Sequence, residues 1–197
     1  MRQQQYLTND GEVIRDLNRH LPSNTTVIFP HVLTHEDVMT HGVVRCEVVH
    51  PKVEWWQTLG AKTVDGSVSP AIVSWEVIDR PIDEVKSEAI FRISRRRFEL
   101  EDRGVTIDGV RYSGSRENRQ TLDEAVRAAA RLGITHFVRW KDSDNNFHAN
   151  HPVSAVEAAI DLIVHERSQL INAEGEKVEA VMQAASVAEV VDAAGWE

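Results

Sequence analysis

The stretch Arg95-Arg96-Arg97-Phe98-Glu99-Leu100-Glu101-Asp102-Arg103-Gly104-Val105-Thr106-Ile107-Asp108-Gly109-Val110-Arg111-Tyr112 decides the reading of this chain. Its first half is the charged end of a helix, and Gly104 supplies the residue at which such a helix stops. Val105 to Ile107 and Val110 to Tyr112 flank Asp108-Gly109, the dipeptide favoured in a two-residue hairpin whose turn twists with its strands. A helix joined to a tight hairpin and then to a second helix brings no catalytic group together. It points to a part that docks onto another protein.

Working toward the N-terminus, Pro81 opens the helix with a fixed φ suited to a first turn. Acids Asp83, Glu84 and Glu88 come first and bases Arg92, Arg95, Arg96 and Arg97 last, the order that suits the helix dipole. Ile82, Val85, Ala89 and Ile93 recur at helical spacing, so one stripe is expected in the core with the arginines in water. Toward the C-terminus, Ser115 with Asn118, or Thr121 with Glu124, caps a second helix. Its apolar face is Leu122, Ala125, Val126, Ala129 and Leu132, and Gly133 ends it. Thr135 to Lys141, alternating Val138 and Trp140 against Phe137 and Arg139, then pairs with Phe147 to Ala149 across the turn Asp142 to Asn146.

The C-terminal third is helical, with Val153, Val156, Ile160, Ile163, Val164, Leu170 and Ile171 in one stripe and Val178, Val181 and Ala185 in another. Unbroken from Pro152 to Ser186, such a helix would be about 50 Å long. Either Asn172 to Gly175 breaks it into two packed helices, or its length is a surface for another subunit. Ser186 and Glu189 form a capping box for a last short helix ending at Gly195.

The N-terminal part reads as β-rich. Tyr6-Leu7 and Val13-Ile14 flank the turn Thr8-Asn9-Asp10-Gly11. Thr34 and Asp37 have the spacing that caps a short helix stopping at Gly42. Val43 to Val49 alternates as a half-buried strand, and Val73, Trp75 and Val77 repeat the pattern. Val53 to Ser69, with two internal glycines, reads as a long loop. The expected class is therefore α+β. A small β-rich module at 1–80 precedes a helix-hairpin-helix-hairpin-helix domain at 81–197 with a long C-terminal helical region.

Bulk properties narrow the function. A chain of 197 residues with 42% hydrophobic content can bury a core without metals or disulfides. A formal charge of −9 opposes attraction to phosphate backbones, so no nucleic-acid partner is expected. Cys46 is the only cysteine, which fits a reducing compartment. Met1-Arg2-Gln3-Gln4-Gln5 lacks the apolar core of a signal peptide, and no run of eighteen or so apolar residues appears, so no membrane partner is expected.

His31 and His35 have the i, i+4 spacing of two metal ligands, with His41 and His50 nearby, and make a small histidine-dependent metalloprotein or metalloenzyme the alternative reading. Pro30 and the cap at Thr34 place the helix start between His31 and His35, which spoils a shared face, so neither metal nor cofactor is expected. His148 and His151 read as solvent-facing loop residues. Asp142-Ser143-Asp144-Asn145-Asn146 resembles the start of a calcium loop, but Phe147 stands at the turn-glycine position and Val153 at that of the bidentate acid, so a hairpin turn is preferred. No Gly-x-Ser-x-Gly elbow is present, Cys46 sits in an apolar run, and the Arg95 to Arg97 cluster is followed by Glu99, Glu101 and Asp102. Adjacent Trp55 and Trp56 on a strand-like segment would point to opposite faces and favour contact with a partner.

Arg97-Phe98-Glu99, the run Gly104 to Tyr112, Ser115-Arg116-Glu117-Asn118-Arg119, Leu122, Trp140 before a polar turn and the helix carrying His165 form an ordered series. The series resembles the C-terminal domain of uncharacterised function found in many tailed-bacteriophage tail and tail-fibre assembly proteins. The similarity runs from Val85 to Ala193. Asp10-Gly11, Leu33-Thr34-His35-Glu36-Asp37-Val38 to Gly42-Val43, and Val73-Ser74-Trp75-Glu76-Val77 are similar to the small β-rich module of such proteins. The Arg95-Arg96-Arg97 run and the acids Glu99 to Asp102 depart from the family pattern at the helix-hairpin junction.

The resemblance implies a non-enzymatic tail protein, either an assembly chaperone for the fibre or a structural component retained in the virion at fibre or baseplate. Its place would be the host cytoplasm during assembly, or the virion tail. It brings no catalytic residues. The expected partner is a tail-fibre or baseplate protein, with self-association a further expectation, met by Trp55, Trp56, Val156, Ile160, Ile163 and Ile171. Removal of Pro152 to Glu197 is accordingly expected to abolish co-purification. A host-directed regulator delivered by the phage is a third reading.

Overall fold

The computed structural model describes residues 5–15, 39, 43–68 and 70–196. The protein is a mixed α+β chain, and it divides into two compact units, Met1–Arg80 and Pro81–Glu197.

In the first unit, β1 (Gln5–Thr8), β2 (Val13–Ile14), β3 (Val43–Val48), β4 (Gln57–Asp65) and β5 (Ala71–Asp79) form one sheet in the order β2-β1-β3-β5-β4. The Asp10-Gly11 turn forms because Gly11 takes a φ of 85° and the Thr8 side chain accepts from the Glu12 N–H at 2.9 Å. β3 and β5 run parallel, with Cys46 opposite Ala71 and Val48 opposite Val73. Leu7, Cys46, Ala71 and Val73 are buried together, with Val44, Val48 and Trp75 packed around them.

The long loop expected from Val53 to Ser69 is instead largely strand β4, antiparallel to β5 with an irregularity between Leu59 and Lys62. Most of its side chains are exposed, so it is held by its backbone ladder and carries no apolar alternation to read. The Thr34-Asp37 cap and the Gly42 stop lie outside the described residues.

The second unit consists of α1 (Ile82–Arg103), β6 (Val105–Ile107), β7 (Val110–Tyr112), α2 (Arg116–Leu132), β8 (His136–Lys141), β9 (Phe147–Pro152), α3 (Val153–Gln183) and α4 (Val187–Ala193). α1 starts after Pro81, whose carbonyl accepts from the Glu84 and Val85 N–H groups at 3.0 and 3.1 Å. Val85, Ala89 and Ile93 are buried as their spacing dictates. The same stripe continues through Arg97 and Glu101, however, so the expectation that the arginines all stay in water fails at Arg97.

Gly104 ends α1 at φ 63°, ψ −152°, a conformation open in practice to glycine alone. A Cβ there would overlap the carbonyl oxygen of Tyr112, and one at Gly114 would overlap that of Glu101. Asp108 (φ 48°) and Gly109 (φ 80°) both adopt the left-handed conformation required by a two-residue turn of the twisted type.

Of the two cap candidates for α2, Ser115 is the one used, its hydroxyl accepting from the Asn118 N–H at 3.3 Å. Leu122 and Ala129 are buried, but Leu132, read as part of the apolar face, is 72% exposed at the last residue of the helix, before the left-handed Gly133. The core joins Val105, Val110, Tyr112, Leu122, Val156, Ala159 and Ile163.

Asn172 to Gly175 does not break α3. An exposed glycine costs a helix interior about 1 kcal/mol. The flanking turns are anchored by Val156 and Ile163 toward one end and Val181 toward the other, which offsets it. Ser186 caps α4 by accepting from the Glu189 N–H, and the Glu189 carboxylate reaches back to the Ala185 N–H at 2.7 Å.

Candidate functional site

The hairpin β8–β9 is built from its turn. Asp142 Oδ1 accepts from the N–H groups of Asp144 and Asn146 at 2.9 and 2.8 Å, and Asn145 sits at φ 68°. Its other carboxylate oxygen meets His148 Nε2 at 2.9 Å. That bond to His148, with the turn N–H groups, holds the Asp142 carboxyl at a pKa of about 2.

Farther along β9, His151 is buried and its Nε2 lies 2.6 Å from the Tyr112 hydroxyl of β7. Its ring stacks on Trp140 at 5.7 Å between centroids. Burial, then the neighbouring His148, pushes the His151 pKa down, and burial foremost pushes the Tyr112 phenol up to about 12. The pair is thus a neutral imidazole beside a protonated phenol, and which of the two donates follows the tautomer of His151. Both histidines are thus strand residues with partners, not the solvent-facing loop residues expected.

Opposite Val138, Asn150 adopts φ 53° and the ladder skips that pair. Across this irregularity Phe137 and Trp140 face the same way, 5.0 Å apart, against the core. Regular alternation would have put Trp140 with Val138. Val138 is instead 90% exposed, and Phe147 is 65% exposed. The Arg139 guanidinium and the Lys141 ammonium lie 5.9 and 6.0 Å from the Phe147 ring. The outer surface of this hairpin is therefore apolar and basic on a chain of net charge −9.

An ionic centre joins α1, α2 and α3. Buried Glu101 receives Arg97, with Arg119 at 3.6 Å and Arg167 at 3.5 Å. Arg97 also pairs with Glu174, which accepts from the Ser94 hydroxyl at 2.6 Å. Arg95 and Arg96 are the solvated members of the triplet, both paired with Glu99.

The residues expected to meet a partner are distributed differently. Val156 and Ile163 are in the core and Ile160 packs against it, because their stripe is the one that covers β6 and β7. They do not form an outer surface. Ile171 is 40% exposed.

Trp55 and Trp56 are half-buried and lie in a turn closed by Gln57 N–H to the Glu54 carbonyl, edge to face at 5.5 Å. They are not on opposite faces of a strand, since the chain turns at that dipeptide. The Trp55 and Trp56 carbonyls accept from Arg80.

Of the metal-ligand candidates, His50 stacks on Trp75 at 5.1 Å, and His31, His35 and His41 lie outside the described residues. Among the described residues no group of three or more His, Cys, Asp or Glu side chains is placed to hold a metal ion. No helix among them is long and apolar enough to cross a membrane.

Val138, Arg139, Lys141 and Phe147 were missed as a site by sequence reasoning. The available signal was Asn150, since an asparagine inside a strand is among the residues that tolerate a left-handed kink.

No curated protein matches the chain, and no solved structure does. Residues 84–195 match a family described as a domain of unknown function, DUF4376. That span is more than half of the 197 residues, and the chain belongs to this family.

Proposed function

We propose that the protein is a non-enzymatic docking component of a bacteriophage tail, binding a tail-fibre or baseplate protein as an assembly chaperone or as a part retained in the virion. In this reading residues 81–197 form a helix-hairpin-helix-hairpin-helix domain with a long C-terminal helical region, preceded by the small β-rich module at 1–80. The supporting observation is the outer face of β8–β9. Val138 and Phe147 are held out beside Arg139 and Lys141, while Phe137, Trp140 and His151 fix the inner face. Aromatic and arginine side chains on a rigid element are the common anchors of protein interfaces. Two cations on an acidic chain favour a partner surface carrying carboxylates. The phage assignment rests on the resemblance of Val85 to Ala193 to tail-associated domains.

Deleting Pro152 to Glu197 would not isolate the interface, because it removes Val156, Ala159 and Ile163 from the core. The test is the double substitution Val138→Glu, Phe147→Glu in the full chain. Circular dichroism is expected to stay unchanged while co-purification with the tail-fibre or baseplate protein is lost. Undiminished co-purification of a folded double variant rejects this face.

A further inference from the structure

We propose that α3 pairs antiparallel with α3 of a second copy of this chain along Val164, Ser168, Ile171, Gly175, Val178 and Met182. The inference goes beyond the docking reading above and uses a different surface. These residues follow one another at alternating steps of four and three, the repeat that keeps one seam facing a partner helix. All are exposed except Val178, which is half-buried. Val164 lies about 100° round the helix from Ile163, so the seam is a lateral face separate from the one that packs on the hairpins.

The seam is complementary to itself in reverse. With the two-fold axis beside Ala173, Val164 meets Met182 of the second copy, Ser168 meets Val178 and Ile171 meets Gly175, so a larger side chain faces a smaller one in each layer. On one flank no like charges meet. His165 falls beside Glu179 of the second copy, and Asn172 beside its own equivalent. On the other flank Arg167 and Glu174 are already matched by Glu101 and Arg97, so pairing strands no free charge there. α3 is already folded against the rest of its unit, and association therefore does not carry the nucleation cost that makes short free helices marginal.

Sedimentation equilibrium of the purified full chain reads the state directly. The expected mass is twice 22.2 kDa, and Ile171→Glu should halve it without loss of helical signal. A wild-type chain of single mass overturns the proposal. Direction is read by cysteine pairing in a Cys46→Ala background. A mixture of Val164→Cys and Met182→Cys chains should give an oxidised cross-link that neither variant gives alone, because like positions would be about 27 Å apart along the axis. Cross-linking of each variant with itself means a parallel pair and also overturns it. A single-mass chain that still co-purifies with a tail protein refutes the second copy and spares the docking reading. A dimer that binds no tail protein does the reverse.

Discussion

Replacing Glu101 with Gln removes the one carboxylate on which Arg97, Arg119 and Arg167 converge. Breaking a buried ion pair from one side costs about 3–5 kcal/mol, because the remaining charge stays desolvated. Arg97 keeps Glu174 as a partner, and Arg167 is half in water, which places the expected cost near the lower end, about 3 kcal/mol. At about 2.1 cal/mol/K per residue, a unit of the size of Pro81–Glu197 unfolds with about 0.25 kcal/mol/K. The melting temperature of that unit should therefore fall by about 12 °C. The control is Arg127→Ala, which breaks an exposed 3.0 Å pair with Asp123 and should cost about 0.3–0.5 kcal/mol, or about 2 °C. Differential scanning calorimetry of both variants decides the matter. Equal shifts would mean that Glu101 is as well hydrated as Asp123 and that the centre does not tie the three helices together.

Gly104→Ala and Gly114→Ala should each abolish the native fold of the C-terminal unit, since either Cβ would collide with backbone; native-like melting of either variant contradicts the crossing of these segments. Asn150→Val should destabilise the β8–β9 hairpin by about 1–2 kcal/mol, because a β-branched residue resists φ 53°, whereas Asn150→Gly should be tolerated; denaturant titration separates the two. The pKa of His151 is lowered on folding, so its neutral form is favoured. Above about pH 6.5 both folded and unfolded states are neutral, and as pH falls below that value the unfolded chain takes the proton first and stability declines. Melting temperatures of wild type and His151→Phe between pH 7.5 and 5 should diverge in that direction, and parallel profiles would contradict the burial of His151. The depressed Asp142 carboxyl acts in a lower window, its contribution present above about pH 4 and lost as pH falls toward 2, a decline expected to be missing in Asp142→Asn.

What the sequence disclosed was governed by local sterics. Gly104, the Asp108-Gly109 turn, the Ser115 cap and the Ser186-Glu189 box each fix a few consecutive residues, and each stands where the residue chemistry puts it. Strand β4 was missed because its ladder to β5 is set by a distant segment and leaves no buried face to give a period. Arg97 and Glu101 looked like a solvated helix end because their distant partners, Glu174 for Arg97 and Arg119 and Arg167 for Glu101, come from other helices. The same blindness affected α3. Its hydrophobic residues were legible, but which of them face β6 and β7 and which remain outside depends on docking that periodicity alone does not orient. At the hairpin the ladder skips the pair Val138 and Asn150, and Phe137 rather than Val138 lies with Trp140 on the inner side, a change of side that an alternating pattern conceals.

Lys141, exposed beside Phe147, offers the most direct check of the docking account. Amine-reactive cross-linking of the full chain in phage-producing cells, followed by mass spectrometry of peptides joined to Lys141, should identify a tail-fibre or baseplate protein. Cross-links from Lys141 to enzymes or host regulators alone, with tail proteins present and uncoupled, would contradict it.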